Sequence, residues 1–250
     1  MHLYLSPHLD DVVFSCGGQI AQLVRAGSRV RVVTIFAGDP PPVAADTAHV
    51  RELHNRWGLG DDPIAARRAE DRGALQLLGA SVTHLSFPDC VYRLGRMGAP
   101  LYPLRDSIFG AVAPIESDLI QDVTRALGRL RVPRAATIYL PLTAGHHVDH
   151  QIVRAAAERW ADSRWQVVYY EDYPYAEKPE EVRAALGGDA AQAKVVKLDE
   201  AALAAKVAAV ECYRSQISTF YADEAEMAAR VRAYAQAVGN GQPAERLWRR

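Results

Sequence analysis

Leu3-Tyr4-Leu5-Ser6-Pro7-His8-Leu9-Asp10-Asp11 opens the chain, and its reading decides the fold. Leu3-Tyr4-Leu5 reads as a short strand. It runs directly into a Ser-Pro turn and then into a histidine and two adjacent carboxylates. From Phe14 to Ala26 the apolar spacing becomes that of a helix, with Ile20, Leu23 and Val24 on one face and Gly27 as the stop. A strand followed at once by a helix is the start of an α/β alternation.

The alternation continues outward from that stretch. Arg29 to Phe36 (RVRVVTIF) reads as a second strand, stopped by Gly38-Asp39-Pro40-Pro41-Pro42. A helix from Ile64 to Leu78 closes on Gly79, and a strand follows from Val82 to Phe87. Pro88 to Pro114 is rich in Gly, Pro, Tyr and Arg and has no period, which marks a functional loop rather than a linker. Then come a helix (Ile115 to Leu130), a strand (Ala136 to Leu140), a helix (Asp149 to Trp160) and a strand (Trp165 to Tyr170). Beyond Pro179 the chain is Ala-rich and reads as helical, notably Glu200 to Ile217 and Glu224 to Val238. The expected fold class is therefore α/β: a Rossmann-like, mostly parallel sheet flanked by helices, with a helical C-terminal part. No Ser/Gly-rich linker interrupts the chain, so residues 1–250 are expected to form a single domain, an α/β core over 1–175 and a mostly helical part over 176–250.

Composition narrows the function. The 30 acidic and 29 basic residues nearly cancel, which argues against a nucleic-acid partner. No apolar run reaches the ~18 residues of a membrane span, and the opening residues lack the basic and cleavage regions of a signal peptide. Cys16, Cys90 and Cys212 are odd in number and far apart, so neither a disulfide framework nor a thiolate zinc site is expected, and a cytoplasmic location is.

Ligands of open α/β sheets sit beyond the carboxyl ends of the strands. Two such ends carry polar clusters here. The first strand leads into His8-Leu9-Asp10-Asp11, and the Ala136–Leu140 strand leads into Gly145-His146-His147-Val148-Asp149-His150. Two histidines and an aspartate around a position open to water describe a catalytic zinc site, and surplus acids and histidines suit proton transfer. Taken singly, the aspartates could equally cap helices. The pairing of two His/Asp clusters, each after a strand and before a helix, favours chemistry.

Pro7-His8-Leu9-Asp10-Asp11 followed by Cys16-Gly17-Gly18 resembles the first signature of the PIG-L/LmbE-type metal-dependent N-deacetylases, and His147-Val148-Asp149-His150 resembles their second. The likeness continues through Arg68-Ala69-Glu70 and Leu77-Leu78-Gly79 to Lys206 and Tyr213-Arg214-Ser215-Gln216, so it spans nearly the whole chain in order. Leu9 and Val148 stand where the family often has proline, which touches no ligand.

The resemblance implies His8, Asp11 and His150 as metal ligands and Asp10 as the general base. It implies His147, protonated, as the group that polarises the amide oxygen, and Asp149 as the acid that holds that histidine charged. It implies zinc, with Fe2+ or Co2+ able to use the same site. It further implies a small-molecule N-acetylglucosamine-type substrate, or a conjugate of one, cleaved to acetate and a free amine. An amidase for a larger acyl or thiol-conjugate amide, or a non-catalytic metal- or sugar-binding protein, are the alternatives. A homo-oligomer is compatible with all of them. Arg68, Asp89 and Asp172 are expected to contact substrate, the last within Glu171-Asp172-Tyr173-Pro174-Tyr175, whose acids and aromatics suit a carbohydrate. His2, His49, His54 and His84 show no partner pattern and are expected to be structural or surface residues.

Overall fold

The opening strand is β1 (His2–Ser6), whose Leu3, Tyr4 and Leu5 are fully buried in this computed structural model. The structure describes residues 1–250 other than 45, 163 and 189. In order, the chain continues through α1 (Asp11–Arg25), β2 (Val30–Thr34), α2 (Ala48–Trp57), α3 (Pro63–Leu77), β3 (Ser81–His84), α4 (Ser117–Gly128), β4 (Thr137–Pro141), α5 (Val148–Trp160) and β5 (Gln166–Tyr170). It ends with α6 (Pro179–Leu186), β6 (Gln192–Lys197), α7 (Glu200–Val210), α8 (Arg214–Phe220), α9 (Glu224–Val238) and β7 (Ala244–Arg249).

The strands form one sheet in the order β3-β2-β1-β4-β5-β7-β6. The five from β3 to β5 are parallel, with Leu5 opposite Val33 and Tyr4 opposite Tyr139. Successive side chains alternate between two buried faces. Leu3, Leu5, Ile138 and Leu140 pack with α4 and α5, while Tyr4, Val32, Tyr139 and Val168 pack with α1, α3 and α7. Strand order reverses between β1 and β4, so a crevice opens beyond their carboxyl ends, where both His/Asp clusters lie.

Gly17 and Gly18 let the C-terminal part approach α1. A Cβ on Gly18 would lie 2.4 Å from Leu198 Cδ1, and one on Gly17 would lie 3.1 Å from Lys206 Cγ. The buried Lys206–Glu245 pair, at 2.8 Å, sits on the same contact, and the Glu245 carboxylate accepts the backbone N–H groups of Gly18 and Gln19.

Three departures from the sequence reading have physical causes. The expected helix Glu200–Ile217 breaks into α7 and α8 because Tyr213 donates its hydroxyl to Asp71 at 2.6 Å and Glu70 takes the Ser215 N–H at 3.0 Å. These tertiary bonds outweigh helix propensity. Strands β6 and β7 join the sheet antiparallel, although the reading beyond Pro179 was helical. β6 is an exposed edge with no apolar face to announce it. Helix α2 is polar along most of its length, and only its Thr47 N-cap and left-handed Gly58 C-cap mark it in sequence. Among the described residues no helix is long and apolar enough to cross a membrane.

Candidate active site

The end of β1 folds into a tight turn because Ser6 and Asp11 capture its backbone. Ser6 Oγ donates to the His8 carbonyl at 2.7 Å and accepts the Val12 N–H at 3.2 Å, while the His8 N–H donates to Asp11 Oδ2 at 2.7 Å. The loop after β4 is strained: Thr143, Gly145 and His146 all adopt left-handed backbone (φ 74°, 83° and 59°). That loop delivers His147 as the N-cap of α5, with its Nδ1 accepting the Asp149 N–H at 3.2 Å.

The two turns bring their clusters together around Asp11. His8 Nδ1 lies 3.2 Å from Asp11 Oδ2, and His150 Nε2 lies 3.4 Å from Asp11 Oδ1. Each of these rings is held from behind by a buried carboxylate: His8 Nε2 by Asp149 Oδ2 at 2.9 Å, and His150 Nδ1 by Asp172 Oδ1 at 2.6 Å. His150 Nε2 is buried and has no hydrogen-bond partner among the described residues. A carboxylate behind a histidine whose other nitrogen faces an acid is the arrangement that orients metal-ligating imidazoles. These donors fit a divalent cation. One ring nitrogen from each of His8, His147 and His150 also lies within 4.8 Å of the others. Two further groupings, Cys90–His147–Asp149 and His8–Asp89–Asp149, depend on Asp149. Arg93 Nη2 already meets that carboxylate at 2.6 Å and opposes a cation there.

Electrostatics separates the acids. Burial, then the neighbouring Asp11 charge, raises Asp10 to about 7, against lowering by Arg67 and His8. Asp11 is held well below the ordinary carboxylate range, since His150 and His8 outweigh its burial. Burial would lower His8 and His150, but the surrounding carboxylates prevail: His8 is raised well above its usual value and His150 to about 9. His147 goes the other way, lowered by burial and by the charges of His8 and His150.

The resemblance implies Asp149 as the acid that holds His147 charged; in the structure the hydrogen bond between them is a backbone one, while the Asp149 charge still raises the imidazole against its burial. The Asp149 carboxylate serves His8, the Cys90 N–H at 3.0 Å and Arg93, and only its backbone N–H meets His147. Asp172 is 1% exposed, and its oxygens are taken by His150 and by the Ala144 N–H at 2.9 Å, which leaves nothing for a sugar. Arg68 donates to the Ala37 carbonyl at 3.0 Å and pairs with Asp39 at 2.7 Å, just past the carboxyl end of β2. The arginine at the site is Arg67, 3.7 Å from Asp10 and stacked over Trp57 at 4.6 Å. The helical period could have found it, because Ile64, Arg67, Asp71, Ala74 and Leu75 form the buried stripe of α3.

Asp89 caps a short turn through the Val91 N–H, and its other oxygen lies 3.7 Å from His8 Nε2. The 88–114 segment is pinned rather than loose: Arg93 also binds Glu116 at 2.5 Å, and Tyr102 donates to the same carboxylate. Arg93 carried no sequence signal. His146 is exposed at the lip of the cleft, whereas His49, expected to be structural, lines a cavity beside it.

The family model for GlcNAc-PI de-N-acetylase (PIG-L) matches residues 3–161. A 2'-N-acetylparomamine deacetylase of Niallia circulans is 30% identical over 189 residues, 69% of this chain and 66% of that protein. The chain thus spans just under two thirds of that curated relative. Among solved structures, the zinc-inhibited form of a teicoplanin deacetylase superposes with a TM-score of 0.80 at 28% identity, covering 99% of this chain and 96% of that one. The A40926 pseudoaglycone deacetylase follows with a TM-score of 0.73 at 27% identity, covering 99% and 95%.

Proposed function

Since the chain belongs to the PIG-L family, we propose that it is a metal-dependent hydrolase that removes the acetyl group from an N-acetylated amino sugar or sugar conjugate, yielding acetate and a free amine. The observation that carries this reading is His150 Nε2, buried without a hydrogen-bond partner among the described residues and facing Asp11, with His8 converging on the same carboxylate. His8, Asp11 and His150 would hold the ion. Their nitrogen and oxygen donors suit zinc first, with Fe2+ or Co2+ as substitutes. A bound divalent ion supplies Lewis acidity, which lowers the pKa of water and polarises the amide carbonyl.

Asp10, raised to about 7, is matched to take a proton from the attacking water near neutral pH. As the water oxygen bonds to the acyl carbon, negative charge develops on the amide oxygen. Burial lowers His147, and because its Nδ1 accepts a backbone N–H, the neutral ring carries its proton on Nε2, available to that oxygen. When the C–N bond breaks, the proton collected by Asp10 passes to the departing nitrogen, which leaves as an amine. Asp149 and Asp172 orient His8 and His150 without touching substrate. The C-terminal part belongs to the same functional unit, since Lys206 and Glu245 brace α1 just after Asp11. Free Cys16, Cys90 and Cys212 suit a reducing, cytoplasmic compartment.

The test is acetate release from a panel of N-acetylated sugars, with and without a chelator. Acetate that disappears with chelator and returns with zinc supports the reading. No acetate from any member, or release indifferent to chelator, overturns it.

A further inference from the structure

Tyr213-Arg214-Ser215-Gln216, at the start of α8, takes no part in the proton transfers above. Its side chains reach α3 at three places. Tyr213 meets Asp71 at 2.6 Å, the Ser215 hydroxyl meets Glu70 at 2.5 Å, and Gln216 meets Arg67. The first two set where α8 begins. The third lies beside the base.

Gln216, Trp57 and Arg67 are all buried. A buried amide is satisfied only when its oxygen faces donors. The orientation that achieves this turns Gln216 Oε1 to Arg67 Nε and Trp57 Nε1, both at 3.2 Å. One acceptor thus ties the last residue of α2 to the buried face of α3. Ser218, on the same helix as Gln216, donates to the Arg56 carbonyl at 3.2 Å and fixes α2 a second time.

The other end of Arg67 gives this grip its consequence. The guanidinium stacks on Trp57 at 4.6 Å and brings Nη2 to 3.7 Å from Asp10 Oδ2. At that distance it lends charge without making a hydrogen bond. A buried guanidinium and carboxylate left to themselves close to about 2.8 Å, often through two parallel bonds. Closure here would occupy the oxygens that the attacking water needs. The Nε bond and the stack oppose it, since any swing of the guanidinium must stretch the one or slide off the other.

We propose that Gln216 is a positioning residue for the hydrolysis: it holds Arg67 at its standoff from Asp10 and so keeps the base open to water. This rests on the deacetylase reading for the role of Asp10, whereas the clamp of Gln216 on Arg67 and Trp57 does not.

Turnover is compared at pH 9, where protonation of Asp10 no longer limits the rate, on the zinc-loaded protein with the N-acetylated sugar of the acetate panel that reacts fastest. Gln216→Leu removes the acceptor and is expected to lower kcat about tenfold with KM within about twofold. Adding Arg67→Met to Gln216→Leu is expected to bring kcat to that of Arg67→Met alone, within about twofold, because no guanidinium remains to close on the base. A loss that persists in the double variant makes Gln216 a packing residue only and overturns the proposal, as does full turnover in Gln216→Leu.

NMR of the full chain reads the clamp without turnover. The Arg67 Nε–H and Trp57 Nε1–H protons are expected to exchange with solvent about tenfold faster in Gln216→Leu than in the native chain, and at the native rate in Gln216→Glu, which keeps an acceptor oxygen at the same reach. Equal rates in Gln216→Leu and the native chain overturn the clamp. If no sugar releases acetate, the deacetylase reading fails and this measurement alone decides the clamp. Gln216→Met replaces the leucine variant in both measurements should the latter not fold.

Discussion

Asp172 grips His150 by Nδ1 across 2.6 Å, and that contact turns the opposite nitrogen toward Asp11, 3.4 Å away. A residue 22 positions further along the chain thus sets the direction of a side chain in the α5 motif. Replacing Asp172 by Asn removes the carboxylate but keeps an oxygen of similar size. Metal affinity, measured by competition with a chromophoric chelator, is expected to fall about 10- to 100-fold. Unchanged affinity would remove Asp172 from the support of the centre.

Protons compete with the ion for His150 Nε2. The group is raised to about 9, because Asp11 and Asp172 outweigh the lowering effect of burial. Below that pH binding must displace a proton, so apparent affinity is expected to rise with pH, by about tenfold per unit between 7 and 9 from this histidine alone. Chelator competition at three pH values checks it. A flat profile across that window contradicts the assignment.

Asp10→Asn is expected to retain metal, by elemental analysis, while turnover drops by about a thousandfold. The same change should stabilise the metal-free protein. An acid raised from 3.8 to about 7 binds its proton more tightly folded than unfolded. Its ionisation therefore costs stability above pH 4, increasingly up to about 7, with a ceiling of roughly 4 kcal/mol. Asn escapes that cost. Urea unfolding at pH 8 should show the gain, and at pH 4 it should vanish.

Arg67 and Arg68 separate cleanly by experiment. Arg67 is 5% exposed and its charge lowers Asp10. Arg67→Met should let Asp10 rise further, so the pH at which activity appears moves upward and the rate at pH 7 falls while that at pH 9 recovers. Arg68→Met should leave the profile within about twofold, since its partners are the Ala37 carbonyl and the exposed Asp39. The reverse ranking would show the wrong arginine has been placed at the base.

Asp149→Asn leaves Arg93 buried with one anionic partner, Glu116, in place of two. A loss of about 3 kcal/mol in unfolding free energy is expected, because a buried guanidinium stripped of one of its two charge partners is costly. A loss under about 1 kcal/mol would mean that Asp149 is not the hub of this network.

Much of the architecture was legible in the chain. Parallel strands buried on both faces read as apolar runs, and the helices of the core show their period through Ile20 and Ile152 as much as through their caps. Where legibility failed, the deciding partner lay elsewhere. β6 exists because β7 pairs with it, and α8 begins where it does because Glu70 and Asp71 of α3 hold Tyr213 and Ser215. Neither signal is local. The resemblance points to Arg68, whereas the period of α3 puts Arg67 on its buried face, and nothing in a sequence says that Asp172 stands behind His150.

The order of residues by itself determined that His8, Asp10 and Asp11 follow one strand and His147, Asp149 and His150 follow another, since backbone periodicity and turn chemistry act within a few residues. Only the tertiary structure decided how those groups face one another. It set Asp149 on His8 and Arg93 rather than His147, turned His150 Nε2 to Asp11 through Asp172, and raised Asp10 while lowering its neighbour. Those outcomes depend on distance, burial and orientation between residues far apart in the chain, which exist only once the sheet has closed its switch point between β1 and β4.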